Sequence, residues 1–361
     1  FKETLAVFYE GGLLCQDSPD HKIQRRMLQT AFKTDSMKTY VERMSPIMAK
    51  HIASWGQGKE MEFFPAVKKT LLEVGSTVFV GLDDKALANK FNTAFIHINE
   101  GLLGIIRKEL PFTAYGRGQK GKRFALDVLK NLIPERRPTE MRDMLTYMTQ
   151  EKAEDGDYFS DDVICKQILF LLFAAHDTTT STLNHLLYYT ATHPEWQEKM
   201  REEVLAMGAD SLSYDRLDEL KSIDLVFDET LRLHPAVPMS MRRTIRECEI
   251  EGHRIPAHTI LFMPAAFNQR DPKFWTEPDK FDPMRFTEGR EEHKTHPYCY
   301  HPFGGGAHKC IGMHFARMLT KTFMFELLRN NRYTLPEDFQ VKFDWVPLPR
   351  PKKLPLTLHK L

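Results

Sequence analysis

The stretch from Phe303 to Gly312 reads FGGGAHKCIG and runs into MHFARMLTKTFMFELL, whose apolar periodicity is that of a helix. One cysteine, Cys310, lies between a glycine triplet and the expected helix start. Three consecutive glycines let the backbone pass close to a flat group without Cβ clashes and turn amide N–H groups toward the sulfur. The positive end of the helix adds to that field, so the reading favours Cys310 as thiolate over thiol. A lone thiolate presented in this way suits a sulfur ligand for haem iron. Two other uses of such residues fit less well. A phosphate-binding loop would continue with Gly-Lys-Ser/Thr, which does not follow here. Zinc could draw on Cys299, His301, His308 and Cys310, but the spacing C-x-H-x6-H-x-C lacks the two-to-four residue gap between paired ligands.

Working outward, the chain of 361 residues has ample length for a sizeable core, with 42% hydrophobic and 27% charged residues. A net charge of +1 argues against a nucleic-acid-binding protein, which would carry a strong basic excess. Five cysteines (15, 165, 248, 299 and 310) are an odd number without framework spacing, which points to a reducing compartment rather than a disulfide-stapled secreted domain. The longest clear apolar run, Ile168 to Ala175, is far too short to span a membrane and reads as part of a buried helix. The chain opens with FKETLAVFYEGGLL and no initiator Met, so a preceding segment is an open expectation.

Residues 35–235 read as mostly helical, with breaks expected at Trp55-Gly56-Gln57-Gly58, Gly116-Arg117-Gly118 and Asp155-Gly156-Asp157. From about 240 the pattern changes. Thr244 to Ile250 and Arg254 to Met263, joined through Gly252-His253, read as a short β-hairpin. Pro278 and Pro283 rule out a continuous helix between Phe274 and Phe286. A last helix over about 312–330 and short C-terminal strands complete a fold that is mainly α with a small β portion.

Two further segments carry chemistry. Between Ser160, an expected N-cap, and His193 lies a long helix whose middle reads AAHDTTTST. Five hydroxylated residues in a row can bond back to carbonyls a turn earlier and loosen the helix locally. Within Ser222 to His234, Glu229 and Arg232 stand three apart on one helix face, followed by HPAVP and, farther on, by FDPMRF.

AAHDTTTST, Glu229-x-x-Arg232 and the cysteine loop, in this order and spacing, resemble the cytochrome P-450 family, the haem-thiolate monooxygenases. The resemblance covers essentially the whole chain and implies one haem-thiolate domain over 1–361: helix-rich at about 20–235, β and irregular at about 240–300, with the ligand loop and last helix at about 300–330. It implies haem b held by Cys310, with Phe303 and Gly312 framing the loop. It assigns Asp177 and Thr178 to an acid–alcohol pair that delivers the protons needed to split dioxygen, with Ala174 and Ala175 leaving room above the iron. His21, Arg25, Arg242 and His308 match the places of partners for the haem carboxylates, which would be costly to bury unpaired. Glu229, Arg232 and Arg285 match a buried structural triad. Phe173, Ala174, Val237, Pro238 and Met239 would line an apolar substrate pocket.

The loop FGGGAHKCIG is similar to that of sterol demethylases and related terpenoid or retinoid oxidases. Those demethylases usually carry histidine just before the threonine, where this chain has Asp177, which weakens that assignment. The implied reaction is hydroxylation or oxidative demethylation of a sterol, terpenoid, retinoid or fatty acid with dioxygen. Two electrons come from NAD(P)H through a ferredoxin and its reductase or a flavoprotein reductase. A haem-thiolate peroxygenase, isomerase or sensor would be expected to lack the Asp177–Thr178 pair. The family's amino-terminal portion has no counterpart in this sequence. A cytoplasmic monomer is expected, with peripheral membrane association open.

Overall fold

The computed structural model describes residues 2–140, 143–153 and 156–361, apart from the side chains of residues 2–4. In order, the chain forms α1 (Lys2–Tyr9), α2 (Asp20–Thr30), α3 (Thr34–Ala53), β1 (Glu60–Glu62), α4 (Phe63–Gly75), α5 (Lys85–Leu102), α6 (Ala114–Arg136) and α7 (Met144–Gln150). Next come α8 (Asp161–Thr192), α9 (Pro194–Ala206), α10 (Lys221–Leu233), β2 (Ser240–Arg243), β3 (Cys248–Ile250), β4 (His253–Ile255), β5 (Ile260–Met263) and α11 (Ala265–Asn268). The last elements are α12 (Met313–Leu328), β6 (Asn331–Thr334), β7 (Phe343–Asp344), β8 (Arg350–Pro351) and β9 (Pro355–Lys360).

Helix α8 is the axis of the fold. The Ser160 hydroxyl caps it by accepting from the Val163 N–H, and Asp161 and Asp162 place negative charge on its positive end. It packs against α4, α6, α7, α9, α10 and α12. Ile164, Ile168, Leu183 and Leu187 are fully buried on it, each stabilising the fold by about 1.5–3 kcal/mol relative to exposure. The hydroxyl run behaves as its chemistry predicts: Thr178 donates to Ala174 O at 2.7 Å, Thr180 to His176 O at 2.7 Å and Thr182 to Thr178 O at 3.0 Å. The expected loosening is absent and the helix is continuous. A carbonyl has two lone pairs, so the hydroxyl adds a bond without displacing the backbone one.

The β portion differs from the expected single hairpin. Cys248–Ile250 pairs with His253–Ile255 across Glu251 and Gly252, both with positive φ (49° and 77°), which matches the twist of a two-residue turn. Ile260–Met263 pairs instead with Ser240–Arg243, upstream of the expected strand. Pro256, which has no N–H to give, falls between the two ladders, and the Thr244 hydroxyl bridges the gap by donating to Pro256 O and accepting from Thr259 N. A three-stranded antiparallel sheet, β1-β9-β6, joins the C-terminus to the start of α4.

The break expected at Gly116-Arg117-Gly118 is also not there: both glycines lie inside α6. They serve close packing. A Cβ would lie 2.9 Å from His97 O at Gly118 and 2.6 Å from Ala94 O at Gly121, so only glycine lets α6 approach α5 this closely, and 2.0 Å from Leu110 O at Gly116, where the connection from α5 folds back against the helix start. Of the third expected break, Asp155 lies outside the described residues, while Gly156 sits in a bend with φ 89°. No helix among the described residues is long and apolar enough to cross a membrane.

Candidate active site

The cysteine loop leads from a short 3-10 turn, Gly306–His308, to the N-terminus of α12. Gly304 and Gly306 both adopt φ +69°, and a Cβ on either would meet nothing within 4 Å, so the glycine backbone forms a bare surface facing open space. The Cys310 N–H donates to Phe303 O at 2.9 Å, closing the loop across the triplet. The Cys310 side chain is exposed. The protein is nevertheless dense around the sulfur, as at the floor of a concavity. Desolvation pushes the thiol pKa up, against the opposing pull of the Gly312 N–H, Arg25 and Lys309. This corrects the expected preference for thiolate: the glycine loop and helix end do not outweigh desolvation by themselves, and a cation bound at the sulfur would be needed to deprotonate it.

Beside the loop stands a group of cationic and imidazole side chains. His21 on α2 packs its ring on that of His308, with centroids 4.0 Å apart. Arg25 follows one turn after His21, close enough to act electrostatically on His21, His308 and Cys310, and Arg242 on β2 acts on His308. Desolvation holds both histidines below their ordinary pKa despite Asp17 nearby, helped by His308 and then Arg25 at His21 and by Arg242 and then Arg25 at His308. No ion pair joins Arg25 or Arg242 to a carboxylate among the described residues. The Nε2 of His21, a residue only 4% exposed, has no hydrogen-bond partner. A buried polar atom without a partner costs roughly 1–3 kcal/mol, so this is a cluster shaped for an acceptor that the polypeptide does not supply.

In the middle of otherwise buried α8, Phe173, Ala174, Ala175, Asp177 and Thr178 are only half-buried. The Phe173 ring stacks on Tyr9 at 4.4 Å. Asp177 meets two groups that sequence reasoning missed: Lys68 Nζ from α4 at 3.1 Å and His176 Nδ1 at 3.1 Å. Burial raises the Asp177 pKa, but His176 and Lys68 together overcome it and hold the carboxyl down at about 2. Asp177 is therefore ionised at neutral pH. Of the expected pocket residues after α10, Val237 and Met239 are exposed and Pro238 half-buried. A separate apolar cavity of about 20 Å³, room for little more than a water, lies between α4, α8 and α12, lined by Leu71, Phe79, Phe95, Ala175, His176 and Phe315 among others. It is far too small to hold a dianionic group.

Glu229, Arg232 and Arg285 come together as expected, each no more than 1% exposed. Arg232 donates to both carboxylate oxygens of Glu229, at 2.6 and 2.8 Å, and Arg285 Nε to one of them at 3.3 Å. The network extends beyond the triad. Glu292 accepts from Arg285 at 3.0 Å, and Gln269 Nε2 donates to the Leu231 and Arg232 carbonyls at 2.9 and 3.0 Å. Gln269 Oε1 also accepts from the His301 N–H at 3.0 Å, tying this network to the start of the cysteine loop. His301, His308, Cys299 and Cys310 do not converge: among the described residues no group of three or more His, Cys, Asp or Glu side chains could hold a metal ion. Cys299 is buried and bonds to the Glu292 and His293 carbonyls.

The residues present fit haem b. They offer one exposed sulfur, a bare glycine surface, and unpaired cations with an orphaned buried imidazole nitrogen beside it. Comparison with known proteins points the same way. Residues 1–354 match the family model described as Cytochrome P450. Cytochrome P450 136 of Mycobacterium tuberculosis is 37% identical over 363 residues, covering 99% of this chain and 74% of that protein. The beta-amyrin 28-monooxygenase of Vitis vinifera is 29% identical over 352 residues, covering 94% and 72%. The solved structure titled retinoic acid bound cyanobacterial CYP120A1 superposes with a TM-score of 0.87 at 28% identity, over 99% of this chain and 83% of the other.

Proposed function

The chain belongs to the Cytochrome P450 family, monooxygenases that use haem b and electrons from NAD(P)H delivered by a redox partner, and from that premise we propose that it oxygenates an isoprenoid lipid, with Cys310 as the iron ligand. The observation that carries the site assignment is the exposed Cys310 sulfur beside Arg25 and Arg242, which no carboxylate pairs with among the described residues. Bound haem supplies the iron centre at which dioxygen is reduced and one oxygen atom is transferred. The protein supplies the rest. Cys310 would hold the iron at its sulfur, beside the bare Gly304–Gly306 surface. His21, Arg25, Arg242 and His308 neutralise the haem carboxylates, and His21 Nε2 gains the partner it lacks.

Thr178 and Asp177 handle protons on the α8 side. The Thr178 hydroxyl hydrogen is committed to Ala174 O, leaving its oxygen lone pairs to hold a water near the reacting oxygen. Asp177, ionised and in contact with half-exposed Lys68, takes a proton at a carboxylate oxygen from the solvent side and passes it toward that water. The isoprenoid assignment rests on chemistry shared by relatives: one is named for beta-amyrin oxidation and a similar structure holds retinoic acid. Ala174, Val237, Pro238 and Met239 offer apolar contact without a fixed charge, which suits such substrates.

Two measurements test the proposal. The reduced carbon monoxide complex should show the red-shifted Soret band of thiolate ligation, and Cys310→Ala should abolish it while the far-ultraviolet circular dichroism is unchanged; a persisting band would reject Cys310. Triterpenes, retinoids and sterols added to the ferric protein should displace iron-bound water in the visible spectrum. A response to fatty acids alone would reject the isoprenoid reading and leave Cys310 untouched.

A further inference from the structure

His176 is a buried titratable side chain to which the proton route above gives no task. It sits inside α8 at 6% exposure, immediately before Asp177, with the Phe95 ring of α5 edge-on to it at 5.7 Å. Both of its ring nitrogens face acceptors. Nε2 lies 3.2 Å from the Lys68 carbonyl and Nδ1 lies 3.1 Å from Asp177 Oδ1. A neutral imidazole has a single N–H, so either tautomer would turn a lone pair toward an acceptor in apolar surroundings; only the imidazolium can donate to both. The Nδ1 contact has the distance of an ion pair without the alignment of a hydrogen bond, so a small turn of the carboxylate completes it. The neighbouring groups suit a positive ring. Asp177 is ionised, and Lys68 Nζ is drawn to the same carboxylate oxygen at 3.1 Å. Tyr9 of α1, which feels the Asp177 charge, stays a neutral phenol because burial pushes its pKa up. On the remaining sides α5 presents Phe95 and α12 presents Phe315 and Leu319.

We propose that His176 is held as an imidazolium and serves as the proton reservoir for Asp177, an inference that rests on the Asp177–Thr178 route described above. A carboxyl held at about 2 is almost never protonated at neutral pH, so a relay through it needs a donor at hand. The His176 Nδ1–H bond breaks and an O–H bond forms at Asp177 Oδ1, leaving a neutral imidazole that still donates from Nε2 to the Lys68 carbonyl. Burial raises the Asp177 pKa, and His176 is the largest of the pulls that bring it down. Giving up the imidazolium charge removes that pull, so the transfer is less uphill than the resting carboxylate suggests. The neutral carboxyl passes the proton to the water at Thr178 and is ionised again. Its partly exposed edge beside Lys68 then takes a proton from solvent and returns it to His176.

The test uses the full-length holoprotein in two readouts, neither of which depends on the isoprenoid assignment. In protein with isotope-labelled histidine, studied by nitrogen NMR as the diamagnetic ferrous carbon monoxide complex, the His176 ring is assigned by its disappearance in His176→Gln. Both ring nitrogens should be protonated at neutral pH, and an unprotonated one would overturn the proposal. The second readout follows electrons from NAD(P)H through a ferredoxin and its reductase with no substrate added. Dioxygen then leaves as peroxide, after two electrons and two protons, or as water, after four of each. His176→Gln can donate to the Lys68 carbonyl but has no proton to release. It should raise the peroxide-to-water ratio by about tenfold or more, with the carbon monoxide band and melting temperature retained. In that variant the ratio should climb with pH, because its protons come from solution, while in wild type it changes less. A ratio and pH profile equal to wild type would reject the reservoir. Thr178→Ala separates the two failures: peroxide raised in Thr178→Ala but not in His176→Gln removes only the role of His176, and peroxide raised in neither removes the Asp177–Thr178 route as well.

Discussion

Two clusters of cationic side chains, one around Glu229 and one around His21, differ in one respect. Around Glu229, each guanidinium is paired. Arg232 makes two bonds to the carboxylate and others to the Gln269, Pro278 and Lys280 carbonyls, while Arg285 reaches Glu229, Glu292 and the Glu277 carbonyl. Trp275 closes the cluster from one side, its ring 5.0 Å from the Arg232 guanidinium. Around His21, by contrast, Arg25 and Arg242 have no ion pair among the described residues and the His21 Nε2 is buried without a partner. A closed network of charges holds its own chain in place. An open one is shaped for an anion from elsewhere. Residue type does not separate structure from binding here; satisfaction of the polar groups does.

The sharpest way to break the comparison is Glu229→Ala. Removing one member of a buried ion network leaves Arg232 and Arg285 without their carboxylate, at a cost of about 3–5 kcal/mol. Against the usual net stability of 5–15 kcal/mol, that is enough to leave little folded holoprotein. Soluble yield, haem content and melting temperature should all fall. A variant with normal values of all three would show that the Glu229 cluster is not structural.

The open cluster should respond in the opposite way. Arg25→Gln and Arg242→Gln each remove a cation that no carboxylate pairs with among the described residues, Arg242 bonding only locally to the exposed Met241 carbonyl at 2.9 Å, so the melting temperature of the haem-free protein should hardly move. Haem retention should suffer. Charge-assisted hydrogen bonds are worth about 1.5–3 kcal/mol, so each variant should release haem to an apomyoglobin acceptor roughly tenfold or more faster than wild type. Unchanged haem transfer combined with loss of stability would mean that these arginines belong with the closed network.

The two clusters also differ in how far they could be read in advance. Glu229 and Arg232 are neighbours on one turn of α10, and the FDPMRF segment marked their distant partner, so the triad was legible. Glu292 and Gln269 were not, because each joins through a fold-dependent contact in irregular chain with no periodicity. Lys68 was equally invisible. It lies more than a hundred residues from Asp177 and meets it only because α4 packs on α8. Gly116 and Gly118 misled for a related reason: glycine signals a break when read locally, while here close backbone demands it inside a helix, the Leu110 backbone at Gly116 and α5 at Gly118. The thiolate expectation for Cys310 counted the favourable dipoles, which are local, and left out desolvation, which belongs to the tertiary structure.

Helix α2 allows the finest version of the comparison, because it carries an inward and an outward cationic face. His21 and Arg25 stand one turn apart and turn toward the cysteine loop, while Lys22 and Arg26, also one turn apart, are exposed on the adjacent face. Lys309, exposed next to Cys310, continues that outer face. With substrate and oxygen on the α8 side, as proposed, the electron donor should approach the cysteine side, where Lys22, Arg26 and Lys309 should border its docking surface and favour an acidic ferredoxin or flavodoxin-type protein. Exposed charges of this kind act mainly on encounter and are screened by salt. Reversing Lys22 and Arg26 to Glu should raise the partner concentration for half-maximal reduction by several-fold. Added salt should slow the wild type more than the variant. Haem release and substrate affinity should stay at wild-type values, the reverse of the outcome for Arg25→Gln one turn along the same helix. A reduction rate that ignores both salt and the reversals would mean that the donor docks elsewhere or by apolar contact.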